Sequence, residues 1–365
     1  MKEILTIIIP VYNCKKYLKV CLDSIVSQCQ MCAKVLLIDD GSTDGSELIC
    51  DNYARDYSSI QVVHLKNCGV SHARNVGLDM VTTEWVMFAD ADDAFFDGTI
   101  KRVKELVNTY GSTVFLGNDR GIDFYNKCIP NEKDTLGLYS VNIAFGLATN
   151  PAANTELAKQ FSSILFGACW GKVLKYNIIR NQHIRFNEKL TISEDAIFII
   201  EYLKNLGQDD KIILTNEKVY FYRQNFESVT FKMKAFEYME KRYQVTQEIL
   251  RLSNDISDSK MRDDLEMFAL NNFLLALGSA ASGDRTKTYS KFRTYLLNNN
   301  ICKMIENGKG RALSTSKKAN FYYRGIVFLW NKKLFRLGIW YYDFIFKLKR
   351  NKNKLMKLHR KEVKM

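Results

Sequence analysis

The sequence predicts an α/β fold, a mostly parallel sheet flanked by helices and followed by a C-terminal helical region. Two patterns support this prediction. Over the first hundred residues, short continuous runs of Val, Ile and Leu alternate with stretches in which apolar residues recur every three or four positions. Such alternation is typical of buried parallel strands joined by helical crossovers. From Phe236 onward only the helical periodicity continues.

The elements of the sheet are predicted in chain order as follows. Strands are expected at 4–11, 35–38, 61–65 and 85–88, with helices at 15–28, 47–57 and 71–81 between them. Later patterns predict a helix at 100–110, strand pieces at 114–116 and 122–124, and a helix that follows Trp170-Gly171-Lys172 and runs through Arg180. They also predict a helix at 196–205 with Ser193 as its N-cap, and strands within 211–223. Right-handed crossovers make the first four strands parallel. Their carboxyl ends therefore share one edge of the sheet, where ligands bind in such folds.

Composition excludes several classes of protein. Of the 365 residues, 47% are hydrophobic and 25% charged, as in an ordinary globular protein with a large core. The nine cysteines form no repeating framework, and the single C-x-x-C at Cys29–Cys32 has no second pair. We therefore expect reduced thiols in the cytosol and no zinc site. We also expect neither a secretory leader nor a membrane span, since no apolar run is long enough.

Acidic residues follow two of the predicted strands. Asp39 and Asp40 end the second strand, and Asp90, Asp92 and Asp93 follow the fourth within four positions. Carboxylates this close repel one another unless a cation lies among them, and Mg²⁺ or Mn²⁺ takes oxygen ligands. Neither a G-x-G-x-x-G after the first strand nor a P-loop occurs, so we expect phosphate contact through a metal ion rather than a glycine-rich loop. The alternative is an acidic turn at the start of the next helix.

Five short motifs together resemble the family-2 glycosyltransferases of GT-A type, in order and in spacing. They are Thr6–Asn13 (TIIIPVYN), Val35–Asp44 (VLLIDDGSTD), Asn67–Gly77 (N-x-G followed by A-R-N-x-G), Phe88–Asp93 (FADADD) and Ser193–Asp195 (SED). The match covers about the first 230 residues. Trp170–Lys172 and Tyr220–Arg223, with Ser228–Thr230, resemble the bacterial subset that builds capsule, exopolysaccharide or lipopolysaccharide chains.

The resemblance implies a UDP-sugar donor bound at the carboxyl edge of the sheet. Tyr12 would lie against the uracil, and Asp40 would accept the uracil N3–H. Arg74 would meet a phosphate or hold Asp90 in place, and Asp90 would contact the ribose. The donor-binding set implied is Pro10, Tyr12, Asn13, Asp40, Asn67, Gly69, Arg74, Asp90, Asp92 and Arg223. A divalent cation, Mn²⁺ or Mg²⁺, would be held by Asp92 and Asp93, and the resemblance leaves open which is the main ligand.

A single carboxylate base is expected, because a nucleotide leaving group needs no proton, whereas glycosidases require two carboxyl groups. The resemblance assigns the base to Asp195, with Glu194 as the nearest alternative and inversion at the anomeric carbon as the outcome. Without the resemblance, this acidic pair would indicate only a helix start. Many relatives carry a histidine after the Tyr-x-Tyr-Arg segment, and Gln224–Thr230 has none. Arg223 or Ser228 would replace it if that histidine binds metal or diphosphate.

The basic character of the chain lies at its end. The net charge is +13, and from Ile301 onward eighteen Lys and Arg stand against three Asp and Glu. Aromatic and aliphatic residues recur at helical spacing within 321–365. A basic amphipathic helix lying on an anionic membrane surface explains both features. Packing against the catalytic domain and nucleic-acid binding are the alternatives, but no nucleic-acid motif accompanies the charge.

These observations divide the chain into a GT-A domain at 1–230, a helical C-terminal region at 231–315 and a basic amphipathic tail at 316–365. The expected function is metal-dependent, inverting transfer of a hexose or N-acetylhexosamine from a UDP-sugar in polysaccharide biosynthesis. The acceptor would be a glycan or an undecaprenyl-diphosphate-linked glycan at the cytoplasmic face of the cell membrane. The alternative is a non-catalytic relative that binds nucleotide or glycan as an assembly module.

Overall fold

The structure is a computed structural model that describes residues 3–29, 33–121, 136–141, 168–207, 209–224 and 233–281, with the single positions 290 and 294. The chain divides into two compact units. The first comprises Met1–Ala148 and Thr155–Phe226, and the second comprises Thr149–Asn154 and Glu227–Met365. The candidate site described below lies in the first unit.

The described elements alternate along the first unit much as the sequence predicts. In chain order they are β1 (Leu5–Val11), α1 (Lys15–Cys29), β2 (Ala33–Asp39), α2 (Ser46–Asp56), β3 (Ile60–His64), α3 (Val70–Asp79), β4 (Trp85–Phe88), β5 (Ala94–Phe95), α4 (Thr99–Tyr110), β6 (Thr113–Gly121), β7 (Leu136–Ser140), β8 (Lys172–Lys175), α5 (Tyr176–Asn181), α6 (Glu194–Lys204) and β9 (Lys211–Arg223). The second unit contributes α7 (Ala235–Asn254) and α8 (Ser259–Ala281), which pack against each other.

The described strands form one nine-stranded sheet in the order β3-β2-β1-β4-β8-β6-β9-β5, with β7 paired to β9. β1 is parallel to both β2 and β4, and β2 is parallel to β3. β6 and β9 are also parallel, whereas β8 runs antiparallel to its neighbours and β5 and β7 run antiparallel to β9. The predicted α/β fold is confirmed, and its antiparallel pairings lie beyond β4.

Burial explains why the first strands read as continuous apolar runs. All seven residues of β1 are buried, because helices cover both faces of a parallel sheet. Helix α3 approaches β1 closely at Gly77, where an added Cβ would lie 2.5 Å from Ile8 Cγ2 and 3.4 Å from Ile38 Cγ1. Glycine at this position thus sets the distance between helix and sheet.

One local prediction was wrong in part, because it missed a strand. The residues following Trp170 form strand β8 before helix α5 begins at Tyr176, since β8 pairs with both β4 and β6. Ser193 occupies the predicted N-cap position of α6, with Glu194 and Asp195 in the first turn, although its backbone is left-handed (φ 57°) and its hydroxyl makes no capping hydrogen bond. The strand expected at 122–124 lies outside the described residues.

The second unit is helical where it is described, as the periodicity predicts. Arg242 on α7 donates from Nη1 to Asn272 Oδ1 on α8 at 2.6 Å, which satisfies a buried amide oxygen between the two helices. Within the described residues, no helix combines the length and the apolar character that crossing a bilayer requires. The predicted basic tail at 316–365 lies outside the described residues.

Candidate active site

The predicted site residues gather at the carboxyl edge of the parallel strands. β1 lies between β2 and β4 in the sheet, so the segments that follow these three strands meet at one edge. The chain leaves β1 toward β2 and β3 and returns to the other side of β1 as β4. A crevice at such a switch in strand order is the usual ligand site of an open α/β sheet.

Arg74, on α3, joins three carboxylates that are distant in sequence. Its Nη2 lies 3.0 Å from Asp90 Oδ1, and its Nη1 lies 3.2 Å from Glu194 Oε1 and 2.7 Å from Asp195 Oδ1. The side chain is only 4% exposed, and its Cζ lies 5.2 Å from the centre of the Phe186 ring. The prediction that Arg74 holds Asp90 in place agrees with this contact.

One guanidinium does not balance three carboxylates in a buried position. Burial, above all, raises the pKa values of Asp90 and Glu194, and repulsion from Asp195 adds to the effect, while the charge of Arg74 opposes it. The cluster therefore keeps excess negative charge or retains a proton. The excess negative charge favours the approach of a further cation.

Asp195 is held at both of its oxygens. Oδ1 accepts from Arg74, and Oδ2 accepts the backbone N–H of Cys169 at 3.0 Å. The Glu194 carboxylate, by comparison, accepts from Arg74 at 3.2 Å through Oε1. The two bonds fix the plane of the Asp195 carboxylate, so its remaining lone pairs have a defined direction.

The acidic loop after β4 is bonded to the end of β9. Asp93, which is 1% exposed, accepts the Tyr220 hydroxyl at Oδ2 (2.6 Å) and the Arg223 backbone N–H at Oδ1 (2.8 Å). Arg223 Nε donates to the carbonyl of Asp92 at 2.7 Å, and the Asp90 N–H donates to the Tyr220 hydroxyl at 3.0 Å. Burial raises the pKa of the Asp93 carboxyl. Two of these four bonds involve Arg223 and hold it beside the predicted metal-binding loop.

The carboxylates of the acidic loop fit a metal ion whose ligands come partly from the protein and partly from substrate phosphates. Among the described residues there is no group of three or more His, Cys, Asp or Glu side chains that could enclose an ion. Both oxygens of Asp93 already accept protein hydrogen bonds, whereas Asp92 is half-buried beside it. Mg²⁺ commonly needs only one or two carboxylates together with substrate phosphates. Of the two residues, Asp92 is the more exposed.

Asp40 binds the N-x-G loop that follows β3. Its two carboxylate oxygens accept the backbone N–H groups of Cys68 and Gly69, both at 2.8 Å. Gly69 has a left-handed φ of 96°, which glycine adopts without strain. The structure therefore brings Asp40 and Gly69 together, and the neighbouring Asn67 is exposed beside them.

Asn13 connects the ends of β1 and β2. Its backbone N–H donates to Ser42 Oγ at 3.1 Å, and its Oδ1 accepts the N–H of Thr43 at 2.8 Å. Tyr12, the preceding residue, is 51% exposed, and Pro10 is buried within β1. An exposed aromatic face therefore lies next to the loop that holds Asp40.

The same region contains three residues that the sequence did not predict as site residues, namely Cys169, Tyr220 and Lys172. Cys169 acts through its backbone N–H, which leaves no signal in the side-chain pattern. Tyr220 stacks on Trp170, with ring centres 4.9 Å apart. It belongs to the Tyr220–Arg223 motif, but the resemblance gave Tyr220 no role. Ser228 lies outside the described residues.

The comparisons with known proteins agree with the fold and with the order of the motifs. The family model described as Glycosyl transferase family 2 matches residues 6–137. The uncharacterized glycosyltransferase EpsJ of Bacillus subtilis is 24% identical over 247 residues, covering 67% of this chain and 69% of that protein. The teichoic acid poly(glycerol phosphate) polymerase of Staphylococcus epidermidis is 31% identical over 244 residues, covering 66% of this chain. The chain spans about a third of that polymerase, since the match covers 31% of its length.

Among solved structures, S. aureus TarS 1-349 in complex with UDP-GlcNAc superposes with a TM-score of 0.59. The match covers 95% of this chain and 92% of that one, at 18% identity. At this identity the likeness concerns the fold. The ordered motifs, the matching family model, the curated relatives and the shared fold together show that residues 6–137 belong to family 2 of the glycosyltransferases and that the chain has a GT-A type fold.

Proposed function

We propose that this transferase moves a hexose or N-acetylhexosamine from a UDP-sugar to a growing, lipid-linked surface glycan, with inversion at the anomeric carbon. The observation that carries the proposal is the buried Arg74, whose guanidinium binds both Asp90 and Asp195. The implied donor contact and the implied base thus share one fixed cation. Such pre-organisation is what a displacement between two bound substrates requires.

The donor's uridine would bind between Tyr12 and Asp40. Each Asp40 oxygen accepts one backbone N–H and retains a further lone pair, which suits the uracil N3–H. The half-exposed ring of Tyr12 offers a flat apolar face to the base. TarS, whose fold the chain shares, was solved with UDP and with UDP-GlcNAc, which supports a UDP-sugar as the donor.

The diphosphate would lie beside the acidic loop after β4. A divalent cation, Mn²⁺ or Mg²⁺, held by Asp92 with Asp93 next to it, would neutralise the charge that UDP gains as it departs. Arg223 is fixed to the same loop by its bond to the Asp92 carbonyl. A cationic side chain there can stabilise the diphosphate where many relatives have a histidine.

The base in this proposal is Asp195. As the acceptor hydroxyl oxygen bonds to the anomeric carbon, the bond from that carbon to UDP breaks and the hydroxyl proton passes to the Asp195 carboxylate. Arg74 and the Cys169 N–H hold the carboxylate in place during this transfer. A base must lie within hydrogen-bond reach of the proton that it removes. By holding the carboxylate in place, the two contacts therefore increase the rate of transfer.

Replacing Asp195 by Asn tests the proposal. We expect kcat to fall by about 10²- to 10⁴-fold while UDP-sugar affinity survives, because the base is lost and the donor contacts remain. Glu194→Gln is the matched control, since it alters the adjacent carboxylate bound to the same Arg74 Nη1. The assay is UDP release over a panel of UDP-sugars, with and without Mn²⁺.

Three outcomes would contradict the proposal. An inactive Glu194→Gln beside an active Asp195→Asn would move the base to Glu194. A product that keeps the donor's anomeric configuration would exclude the single-base displacement. Binding of UDP with no turnover of any sugar would favour the non-catalytic assembly module.

The place of action is proposed from the sequence of the tail. A basic amphipathic segment at 316–365 would hold the enzyme on the anionic inner face of the cell membrane, close to an undecaprenyl-diphosphate-linked acceptor. The S. epidermidis relative is named as a teichoic acid polymerase, which supports a growing polymer as the acceptor.

A further inference from the structure

Lys172, the first residue of β8, is buried completely. Its exposure is 0%, and its Nζ lies 5.3 Å from the centre of the Phe115 ring. Desolvation lowers the pKa of its ammonium to about 8. Burying an ammonium is costly unless its hydrogen bonds are made inside the protein. One of these bonds goes from Nζ to the carbonyl oxygen of Ala168.

The Ala168 carbonyl and the Cys169 N–H belong to the same peptide group. This group is planar and trans, so its C=O and N–H point in opposite directions. On one side the carbonyl accepts from Lys172, and on the other the N–H donates to Asp195 Oδ2 at 3.0 Å. A cation on the carbonyl also polarises the group and strengthens the bond that its N–H makes.

Two further features fix the short segment that carries this peptide group. Gly171 has a left-handed φ of 67°, which turns the chain back into β8. Trp170 stacks on Tyr220 at 4.9 Å and on Tyr222 at 5.3 Å. The segment after this peptide group is thus held by stacking and by the sheet. Lys172 adds a direct contact to the Ala168–Cys169 peptide group itself.

We infer that Lys172 is a positioning residue for the Asp195 carboxylate, acting through the Ala168–Cys169 peptide group. The inference rests on the proposed function, in which Asp195 is the base. Without Lys172 the peptide group can rotate and its N–H can leave Asp195 Oδ2. The carboxylate is then held by Arg74 alone and can turn away from the acceptor hydroxyl.

The test is Lys172→Met in the full chain, since Met has similar length and no ammonium. We expect a folded protein by circular dichroism, a donor KM within about twofold of wild type, and a kcat reduced about 10- to 100-fold, because only the base is displaced. Lys175→Met is the matched control on the same strand. Lys175 is 24% exposed and pairs with Asp210 at 2.9 Å, away from the site, so its loss should leave kcat unchanged.

A double variant separates positioning from a general structural effect. If Lys172 acts through Asp195, then Lys172→Met adds no further loss of kcat to Asp195→Asn, whereas an independent effect multiplies with it. Wild-type kcat in folded Lys172→Met, or a multiplicative double variant, would overturn the inference. An active Asp195→Asn variant would overturn the proposed function and the inference together. Wild-type kcat in Lys172→Met would overturn the inference alone, so the two failures are distinguishable. If Lys172→Met does not fold, Lys172→Leu takes its place under the same criteria.

Discussion

Asp92 and Asp93 are neighbours in sequence but lie in different surroundings. Asp93 is 1% exposed, and both of its oxygens accept bonds from the end of β9. Asp92 is half-buried, and its backbone carbonyl takes the Arg223 Nε. At the scale of single residues we therefore propose that Asp92 binds the metal, whereas Asp93 attaches the loop to β9.

Metal dependence is expected to separate these two residues. EDTA should abolish transfer and Mn²⁺ should restore it, because the leaving diphosphate needs a counter-charge. Asp92→Asn should raise the Mn²⁺ concentration for half-maximal rate by at least about tenfold, consistent with losing one of few carboxylate ligands. Asp93→Asn should leave that concentration unchanged and reduce the free energy of unfolding by about 1–3 kcal/mol. The measurements are Mn²⁺ titrations of the rate and urea denaturation.

Two results would contradict this assignment. Full activity in EDTA would show that the protein's own cations, such as Arg223, suffice for the diphosphate. A larger shift in the Mn²⁺ requirement for Asp93→Asn than for Asp92→Asn would reverse the roles of the two carboxylates.

The sequence predicted the charged side chains of the site better than the contacts that position them. Arg74 and Asp90 could be found because charged residues at helix starts and strand ends form recognisable motifs, and they bind each other at 3.0 Å. The Cys169 N–H was not predictable, because every residue except proline offers the same backbone donor. Lys172 could not be told from a surface lysine, since its burial depends on strands far away in sequence.

At the scale of elements, β1, β2 and β4 were predictable because each is a buried apolar run with helical periodicity nearby. The short, partly exposed β3 was also predicted, but the two-residue β5 was not. Strand β8 was not predicted either. It has four residues, and its strand conformation depends on antiparallel pairing with β4 and β6 rather than on a local pattern. Tertiary pairing overrides local propensity most easily in such short segments.

The close approach of α3 to β1 at Gly77 leads to a prediction about the stability of the fold. Gly77→Ala would place Cβ 2.5 Å from Ile8 Cγ2, so α3 or β1 must shift. We expect a net loss of about 1–3 kcal/mol in the free energy of unfolding from overpacking, despite a gain of about 1 kcal/mol in helix propensity. Urea denaturation measures the loss, and kcat should fall as well because Arg74 lies on the same helix.

A double variant identifies the cause of that loss. Ile8→Ala removes the Cγ2 that the new Cβ would meet, so Gly77→Ala should cost less in that background than in the wild type. Equal costs in both backgrounds would show that the contact with Ile8 is not responsible.

At the scale of the whole chain, we predict membrane association from residues 321–365, which lie outside the described part. Liposome flotation should show binding that increases with anionic lipid, decreases with salt and disappears when these residues are removed, because each basic side chain near such a surface contributes about 1 kcal/mol. Transfer to a water-soluble acceptor should survive the truncation. Equal binding to neutral vesicles, or binding to neither kind, would instead indicate a structural role for the segment.

The position of β4 between β1 and β8 has a consequence for biosynthesis. β4 ends at Phe88, but β8, which covers its other edge, ends at Lys175. At ribosomal rates of about 5–20 residues per second, this edge stays without its partner for roughly 4–17 seconds after β4 has been made. An apolar strand with an open edge is a template for pairing between nascent chains. Early ribosome pausing between the two strands would therefore favour aggregation, whereas a pause after β8 would not.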